Sequence, residues 1–383
     1  MLISRVYDDL TAYLEKFRVL IILGARQVGK TTLVKNYIKK APFKVKYDFG
    51  DNIRTQMLFD SLDFERLKEY CEGYELIVID EAQYIKNIGV AVKMLVDQTN
   101  NLRFILTGSS SMDLRSNVGE PLTGRKLTLE LFPVSCIELA RHYNRYELRE
   151  KLEELLIYGS YPEVIVEERR NWKIEIIREI VESYLLKDVL ALERVKSSKT
   201  LLDLLRLLAL QLGKEVSYHE LATKLNVDVK TVKRYLELLE KSYVIFPLTP
   251  YSRNLREEIN TKYKYYFYDT GIRNGIINNF NGLSERSDVG ELFENFVIAE
   301  RVKKLKYERE FSNIYFWRIY GGGEIDLVEE RGGELQAFEI TWDKAKKRPP
   351  QRFLETYRNS KFSVINRENF WDFILPPIRS GPI

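Results

Sequence analysis

The chain has 383 residues, too many for one compact core, so two or three domains are expected. Hydrophobic residues make up 45% and charged residues 30%, as in soluble globular proteins, and no apolar run approaches the roughly 18 residues of a membrane span. The net charge of +4 permits nucleic-acid binding without arguing for it, and 2 histidines with 2 distant cysteines disfavour His-rich metal sites, Ser-His-Asp catalysis and disulfide frameworks. Acidic and polar residues stand at the N-terminus, where a signal peptide is apolar, so a cytoplasmic location is expected.

A phosphate-binding pattern follows the first apolar run. Residues 19–23 predict a buried strand, and the next residues read Gly-x-x-x-x-Gly-Lys-Thr. Glycines let backbone N–H groups point at phosphates, Lys30 can reach the β- and γ-phosphates, and the Thr31 hydroxyl can ligate Mg²⁺. A helix over residues 30–39 aims its positive N-terminus at the same anion. The predicted ATP-binding residues are Gly24, Ala25, Arg26, Gln27, Val28, Gly29, Lys30, Thr31 and Thr32.

A second apolar run, residues 76–79, ends in Asp80 and Glu81. It predicts a central parallel strand, whose carboxyl end is where ligands bind in open α/β sheets. Asp80 is predicted to hold Mg²⁺ through water, and Glu81 to polarise the attacking water. The alternative is a core strand capped by solvated acids, which the phosphate-binding pattern upstream disfavours.

Two further segments carry polar candidates. Thr107 and Ser109 follow a third apolar run, where they could sense the γ-phosphate or position water; a serine-rich turn that caps the next helix explains them equally well. Arg125 precedes a strand-like segment, residues 126–131, and is placed to act as an arginine finger for a neighbouring subunit, with Arg115 as a less favoured substitute. The alternative for Arg125 is a surface arginine in a loop.

In this order, the phosphate loop, DEAQ (80–83), TGSS (107–110) and TGR (123–125) resemble the prokaryotic AAA+ ATPases. The chain is more closely similar to the subfamily with a C-terminal domain of unknown function, because YGSYPEV (158–164), FYDTG (267–271) and GELFENFV (290–297) resemble that family's recurring segments. The resemblance implies an α/β fold: a five-stranded parallel P-loop ATPase core, a helical lid, a winged helix-turn-helix and a restriction-endonuclease-like domain. We predict these four domains over residues 1–145, 146–196, 197–255 and 256–383.

Residues 216–241 have the pattern of two helices joined by a short turn. Ser217 is the predicted cap of the first helix, and the second begins at Val229 with an apolar stripe at helical spacing. The strand-like residues 243–246 follow, as expected of a wing. If the pair binds duplex DNA, the contacts are Lys230, Thr231, Lys233 and Arg234. A rigid packing module with a solvated basic face is the equally weighted alternative.

The tail resembles the restriction-endonuclease-like core, in which an Asp and a Glu bind Mg²⁺ and a Lys two residues after the Glu aligns the attacking water. A helix carries Glu291 and Glu294, and two strands carry Asp326 and Glu339. We take Glu291, Asp326 and Glu339 as the corresponding site. Thr341 stands at the lysine position and cannot supply that charge, although Lys344 or Lys346 could reach in from the next turn. A degenerate, nuclease-inactive domain is therefore expected.

Together these patterns predict a Mg²⁺-dependent ATPase that couples ATP hydrolysis to a duplex DNA or protein partner. An arginine finger at Arg125 would require homo-oligomers, and no membrane partner is expected. One alternative is a nucleotide-gated binding switch with little turnover, which the retained Glu81 disfavours. Another is a DNA-processing nuclease, which Thr341 disfavours.

Overall fold

The computed structural model describes residues 3–109, 121–185, 198–252, 263–319, 323–344 and 347–375. The chain divides into two compact units. The N-terminal unit comprises Ser4–Phe132 together with Lys241–Tyr243, and the C-terminal unit comprises Pro133–Glu240 and Val244–Ile383 with the first residues of the chain.

The described part of the N-terminal unit is a parallel sheet with helices between its strands. The five strands are ordered β2-β3-β4-β1-β5, and every adjacent pair is parallel, which confirms the predicted core. The central strands are buried along their length, as short apolar runs in parallel sheets are. The strands are β1 (Val19–Leu23), β2 (Val45–Phe49), β3 (Leu76–Asp80), β4 (Arg103–Gly108) and β5 (Lys126–Glu130); the helices are α1 (Thr11–Lys16), α2 (Lys30–Ile38), α3 (Ile53–Asp60), α4 (Phe64–Cys71) and α5 (Ile88–Gln98).

The C-terminal unit begins with a run of short helices, several of which lie in the range predicted for the helical lid. They are α6 (Cys136–Leu139), α7 (Arg145–Glu150), α8 (Leu152–Tyr158), α9 (Pro162–Val166) and α10 (Arg170–Glu179), and a π-helical segment, Ile180–Leu185, continues the last of them. Asn144 caps α7 through a reciprocal pair of hydrogen bonds with Glu147.

The rest of the C-terminal unit alternates between helices and a second sheet. Its helices are α11 (Ser198–Leu210), α12 (Tyr218–Leu225), α13 (Val229–Lys241), α14 (Thr270–Ile276), α15 (Val289–Glu308), α16 (Gln351–Thr356) and α17 (Phe370–Ile374). Its strands are β6 (Glu215–Val216), β7 (Ile245–Pro250), β8 (Tyr263–Phe267), β9 (Asn313–Ile319), β10 (Gly323–Arg331), β11 (Glu334–Ile340) and β12 (Lys361–Ile365).

The second sheet is continuous across the predicted boundary between the winged helix and the tail. Its seven described strands are ordered β12-β11-β10-β9-β7-β8-β6. Strand β8, which the sequence analysis assigned to the tail, lies between β7 and β6, and β7 pairs in parallel with β9. The boundary at residues 255 and 256 therefore separates strands that share one hydrogen-bonded ladder.

The three recurring segments of the C-terminal unit meet at one joint. Asp269 Oδ2 accepts a hydrogen bond from the Ser160 backbone at 2.7 Å, and the Asn295 side chain bonds both backbone groups of Phe267, at 2.8 and 3.0 Å. A Cβ on Gly271 would lie 2.0 Å from the Tyr158 carbonyl oxygen, so only glycine allows this approach. The segments are thus held together by packing and hydrogen bonds.

None of the helices in the described ranges has the length and apolar character required to cross a bilayer.

Candidate functional site

The loop between β1 and α2 forms the predicted phosphate cradle. Gln27 and Gly29 have φ values of 59° and 96°, left-handed conformations that turn successive N–H groups toward one side. Gly24 is required for a different reason, because an added Cβ would lie 2.0 Å from the Leu131 carbonyl oxygen. The Arg5 guanidinium braces the loop by donating to the Val28 carbonyl oxygen at 2.5 Å.

The Lys30 ammonium is folded back onto the loop. Its Nζ donates to the Gly24 and Ala25 carbonyl oxygens at 2.9 and 2.8 Å, and the side chain is buried. Of the other predicted loop residues, Arg26 donates to the Tyr84 hydroxyl at 3.1 Å and Thr32 is exposed. Lys30 is therefore held by hydrogen bonds to two carbonyl oxygens of its own loop. Phosphate oxygens can take the place of these acceptors.

Asp80 lies at the carboxyl end of β3 beside the cradle, where three hydroxyl groups donate to it. Thr31 and Tyr47 donate to Oδ2 at 2.7 and 2.6 Å, and Thr107 donates to Oδ1. The carboxylate is almost fully buried. Desolvation, followed by the hydrogen bond to Asp80, raises the pKa of Tyr47. Tyr47 was not predicted, because its approach to Asp80 depends on the pairing of β2 with β3.

Glu81 follows Asp80 in a left-handed backbone conformation, with φ of 55°. Its N–H donates to Thr107 Oγ1 at 3.0 Å, and its Oε2 accepts from Gln83 Nε2 at 2.5 Å. The same Nε2 lies 3.2 Å from Ser109 Oγ, and Ser109 is buried. The structure thus gathers Asp80, Glu81 and both sensor candidates at one edge of the sheet.

Arg125 lies at the opposite end of the strands, where their amino termini are. It precedes β5, whose first residue Lys126 pairs with Val19 at the start of β1. About five residues of strand, or roughly 17 Å, separate this end from the loop that follows Leu23. Its Nε forms an ion pair with Asp97 at 2.5 Å, and 40% of its side chain is exposed. Arg115 lies outside the described residues.

Comparison with known proteins assigns this part of the chain. Residues 16–140 match a family described as AAA domain. This segment is an AAA-type P-loop ATPase domain. Residues 149–283 and 289–370 match two further families, each described as a domain of unknown function (DUF8612 and DUF4143).

Relatives extend over most of the chain. An uncharacterized protein of Mycobacterium tuberculosis is 29% identical over 334 residues, which cover 85% of this chain and 71% of the relative. An uncharacterized protein of Methanocaldococcus jannaschii is 25% identical over 319 residues, covering 78% and 69%. Among solved structures, the Walker-type ATPase of Pyrococcus abyssi superposes with a TM-score of 0.48 at 18% identity, covering 72% of this chain and 96% of that one.

Beyond the AAA domain, the predicted helix pair is present as α12 and α13. Ser217 Oγ accepts from the Glu220 N–H at 3.3 Å, and Asn226 ends α12 with a φ of 52°. The side chains of Lys230, Lys233 and Arg234 are exposed on α13. Thr231 instead donates its hydroxyl and its N–H to the Asp228 carboxylate, both at 2.8 Å, so Asp228 caps the helix. The pattern correctly located the helices, and Thr231 is already engaged within its own turn.

The tail brings together a different set of acids from the predicted one. Asp326 acts electrostatically on both Glu294 and Glu339, whereas the charge of Glu291 acts on Arg273. Desolvation and the neighbouring Asp326 raise the pKa of Glu294 to about 8. Of the two acids on this helix, Glu294 rather than the predicted Glu291 is the one that the charge of Asp326 affects.

Two lysines neutralise this cluster. Lys264, on β8, is almost fully buried and forms an ion pair with Glu324; burial alone would lower its pKa, but Glu294, Asp326 and Glu324 raise it. Lys347 donates to Glu339 Oε1 at 2.5 Å.

The other lysine candidates are located elsewhere. Lys344 pairs with Glu368 at 2.5 Å, and Lys346 lies outside the described residues. The Thr341 N–H bonds the Ile365 carbonyl oxygen at 2.9 Å. Throughout the described ranges, no group of three or more His, Cys, Asp and Glu side chains is arranged to hold a metal ion.

Proposed function

We propose that the chain binds and hydrolyses ATP with Mg²⁺ in its AAA domain. The observation that carries the proposal is the hydrogen bond from the Thr31 hydroxyl to Asp80 Oδ2, at 2.7 Å. It holds one hydroxyl and one carboxylate together at the helix N-terminus that attracts phosphate. Mg²⁺ takes few oxygens from a protein and completes its shell with phosphate oxygens and water, so this pair fits it.

Lys30 and Glu81 each have a proposed role in that reaction. Lys30 exchanges its bonds to the Gly24 and Ala25 carbonyl oxygens for bonds to the β- and γ-phosphates. Glu81 accepts the proton of the attacking water. When bound, Mg²⁺ neutralises the charge that develops on the phosphoryl oxygens.

We further propose that α12 and α13 bind duplex DNA and form the output of the ATPase. Strands β6, β7 and β8 around the helix pair support a winged helix. The exposed Lys230, Lys233 and Arg234 give α13 a basic surface, and basic side chains of this kind contact the DNA backbone. A protein partner at the same surface is the alternative that the DNA measurement below decides.

The tail is proposed to lack nuclease activity. Two of its carboxylates form ion pairs with lysines, Glu324 with the buried Lys264 and Glu339 with Lys347. The lysines supply positive charge where metal-dependent cleavage needs a metal ion. Incubation with supercoiled plasmid and Mn²⁺ tests this proposal. We expect no cleavage; cleavage that disappears in Asp326→Ala would overturn it.

Steady-state ATP hydrolysis, with and without duplex DNA, tests the main proposal. Lys30→Ala is the blank, because it removes the ammonium that reaches the phosphates. We expect turnover above the blank and stimulation by DNA. Turnover without stimulation would refute DNA as the coupled partner and leave the ATPase proposal intact.

A nucleotide-gated switch is the second candidate function. The bond between Gln83 Nε2 and Glu81 Oε2 favours it, since a carboxylate that is engaged by an amide is a weaker base for water. The switch predicts that ATP binds but that turnover does not exceed the Lys30→Ala blank. The two functions are thus separated by the same experiment.

A further inference from the structure

We propose that Gln83 is a positioning residue that couples the occupancy of the γ-phosphate position, sensed by Ser109, to the base Glu81. This inference rests on the proposed ATP hydrolysis. It concerns a residue that neither the phosphate-loop pattern nor the acidic pair at the end of β3 singles out.

The contacts of Gln83 carry the inference. One nitrogen, Nε2, donates to Glu81 Oε2 at 2.5 Å and to Ser109 Oγ at 3.2 Å. An amide nitrogen has two hydrogens, so both donors are used, one on the base and one on the sensor candidate. Gln83 is thus the direct link between two groups that belong to different strand ends.

The other end of the amide shows that its orientation is imposed. Gln83 Oε1 is buried and has no hydrogen-bond partner among the described residues. Rotating the amide by half a turn would remove the hydrogen bond to Glu81, because Oε1, an acceptor, would then face a carboxylate oxygen. A buried acceptor is rarely left unpaired, and here the negative charge of Glu81 accounts for it.

The backbone of Glu81 is fixed as well. Its left-handed conformation, with φ of 55°, is unfavourable for a residue with a side chain and persists only where neighbouring contacts enforce it. Thr107 supplies one such contact through the Glu81 N–H, at 3.0 Å. With its main chain held in this way, the direction of the Glu81 carboxylate depends on Gln83.

Ser109 is placed to receive the signal. It follows Gly108, which pairs with Leu23 at the start of the phosphate loop. Its hydroxyl accepts from Gln83, and a hydroxyl also has one hydrogen to donate, for which a terminal phosphate oxygen is a suitable acceptor. A Ser109 hydroxyl drawn to phosphate shifts its bond with Gln83, and Gln83 in turn reorients the free oxygen of Glu81 toward water.

The test is a double-mutant cycle of Gln83→Met and Ser109→Ala, read as the kcat of steady-state hydrolysis at saturating Mg²⁺-ATP and as equilibrium ATP binding. Methionine keeps the length of the side chain and also removes the unpaired acceptor, so the thermal midpoint should not fall. Gln56→Met is the matched control: Gln56 is half-buried to a similar degree and donates to the Gly50 carbonyl oxygen at 2.9 Å.

We expect Gln83→Met to lower kcat at least about tenfold while the Kd for ATP changes less than about twofold, because a misdirected base affects the chemical step. Ser109→Ala should lower kcat in the wild-type background and add nothing to Gln83→Met. The control should retain its kcat.

Other outcomes are equally decisive. The coupling would be overturned if the fold-decrease in kcat of the double variant equalled the product of the two single fold-decreases. An unchanged kcat in Gln83→Met would overturn it as well, and either result would leave ATP hydrolysis established. Wild-type turnover no higher than that of Lys30→Ala would overturn the proposed function and, with it, the coupling.

Discussion

The hydroxyl of Tyr47 donates a hydrogen bond to Asp80 Oδ2 at 2.6 Å, next to the bond that Thr31 makes to the same oxygen. A tyrosine on a neighbouring strand therefore orients the carboxylate proposed to hold Mg²⁺. Groups that orient a metal ligand commonly change metal affinity about 10–100-fold when removed.

Tyr47→Phe should raise the Mg²⁺ concentration needed for half-maximal ATP hydrolysis by about tenfold, since Asp80 loses one of its donors. A Mg²⁺ titration at saturating ATP measures this. Tyr70→Phe is the matched control, because the half-buried Tyr70 donates instead to Asp48, at 3.0 Å. Equal shifts in both variants would show that the effect is not specific to Asp80.

Arg125→Ala should lower kcat more than about 100-fold if Arg125 completes the site of a neighbouring copy. It cannot act on its own cradle, which lies at the opposite end of the strands. Mixing Arg125→Ala with the inactive Lys30→Ala should then restore turnover, because each variant supplies what the other lacks. Arg66→Ala, another exposed arginine of the same unit, should have no effect. Failure of the mixture to recover activity would count against a finger.

Lys230→Ala and Lys233→Ala should each weaken binding of the full chain to duplex DNA. Each should reduce the slope of log K against log salt by about 0.9, as expected for one lost phosphate contact. Lys361→Ala serves as the control, because Lys361 is exposed on β12 at the far end of the same sheet. Unchanged slopes in both α13 variants would exclude these lysines from the interface.

Glu294→Gln should change how stability depends on pH. The folded chain raises the pKa of Glu294 to about 8, so between about pH 4.5 and 8 the folded state retains a proton that the unfolded state releases. Stability contributed by the protonated form is complete below pH 4.5 and is lost as pH rises through 8.

Glutamine mimics the protonated acid at every pH. We therefore expect the stability of Glu294→Gln relative to wild type to increase by about 4 kcal/mol between pH 5 and pH 8.5, measured by urea unfolding. Glu291→Gln, on the same helix, should show a smaller change. A difference that stays constant across this range would rule out the raised pKa.

The AAA domain was predictable because its signals are local. The cradle needs glycines and a lysine at fixed spacing, and Asp80 and Glu81 directly follow a buried strand. Tyr47 and Gln83 could not be assigned roles in this way. The first acts across the β2–β3 pairing, and the second depends on the left-handed turn at Glu81, which no spacing rule indicates.

The tail was harder to predict for a physical reason. Helix α15 is buried on nearly all sides, so its sequence has no clear polar face to show whether Glu291 or Glu294 points at the strands. Lys264 was invisible because it enters the cluster from β8, far from the other residues in sequence. Sheet order is set by long-range pairing, and a single sequence does not reveal it.

The recurring segments of the C-terminal unit also acquire a structural explanation. Asp269, Gly271 and Asn295 tie the three segments to one another through close backbone contacts. Such contacts tolerate few substitutions. The joint that they build therefore gives these motifs a structural explanation.

The seven-stranded sheet makes the strands beside the helix pair and the strands of the tail one rigid layer. Because β8 is clamped between β7 and β6, and β7 is joined to β9, the helix pair cannot swivel against the tail without rupturing a ladder of main-chain bonds. A movement of α13 that displaces these strands is therefore transmitted through the sheet to β12. During synthesis, the ribosome must also deliver β8 before β6 has a neighbour, so this layer is completed late and as a whole.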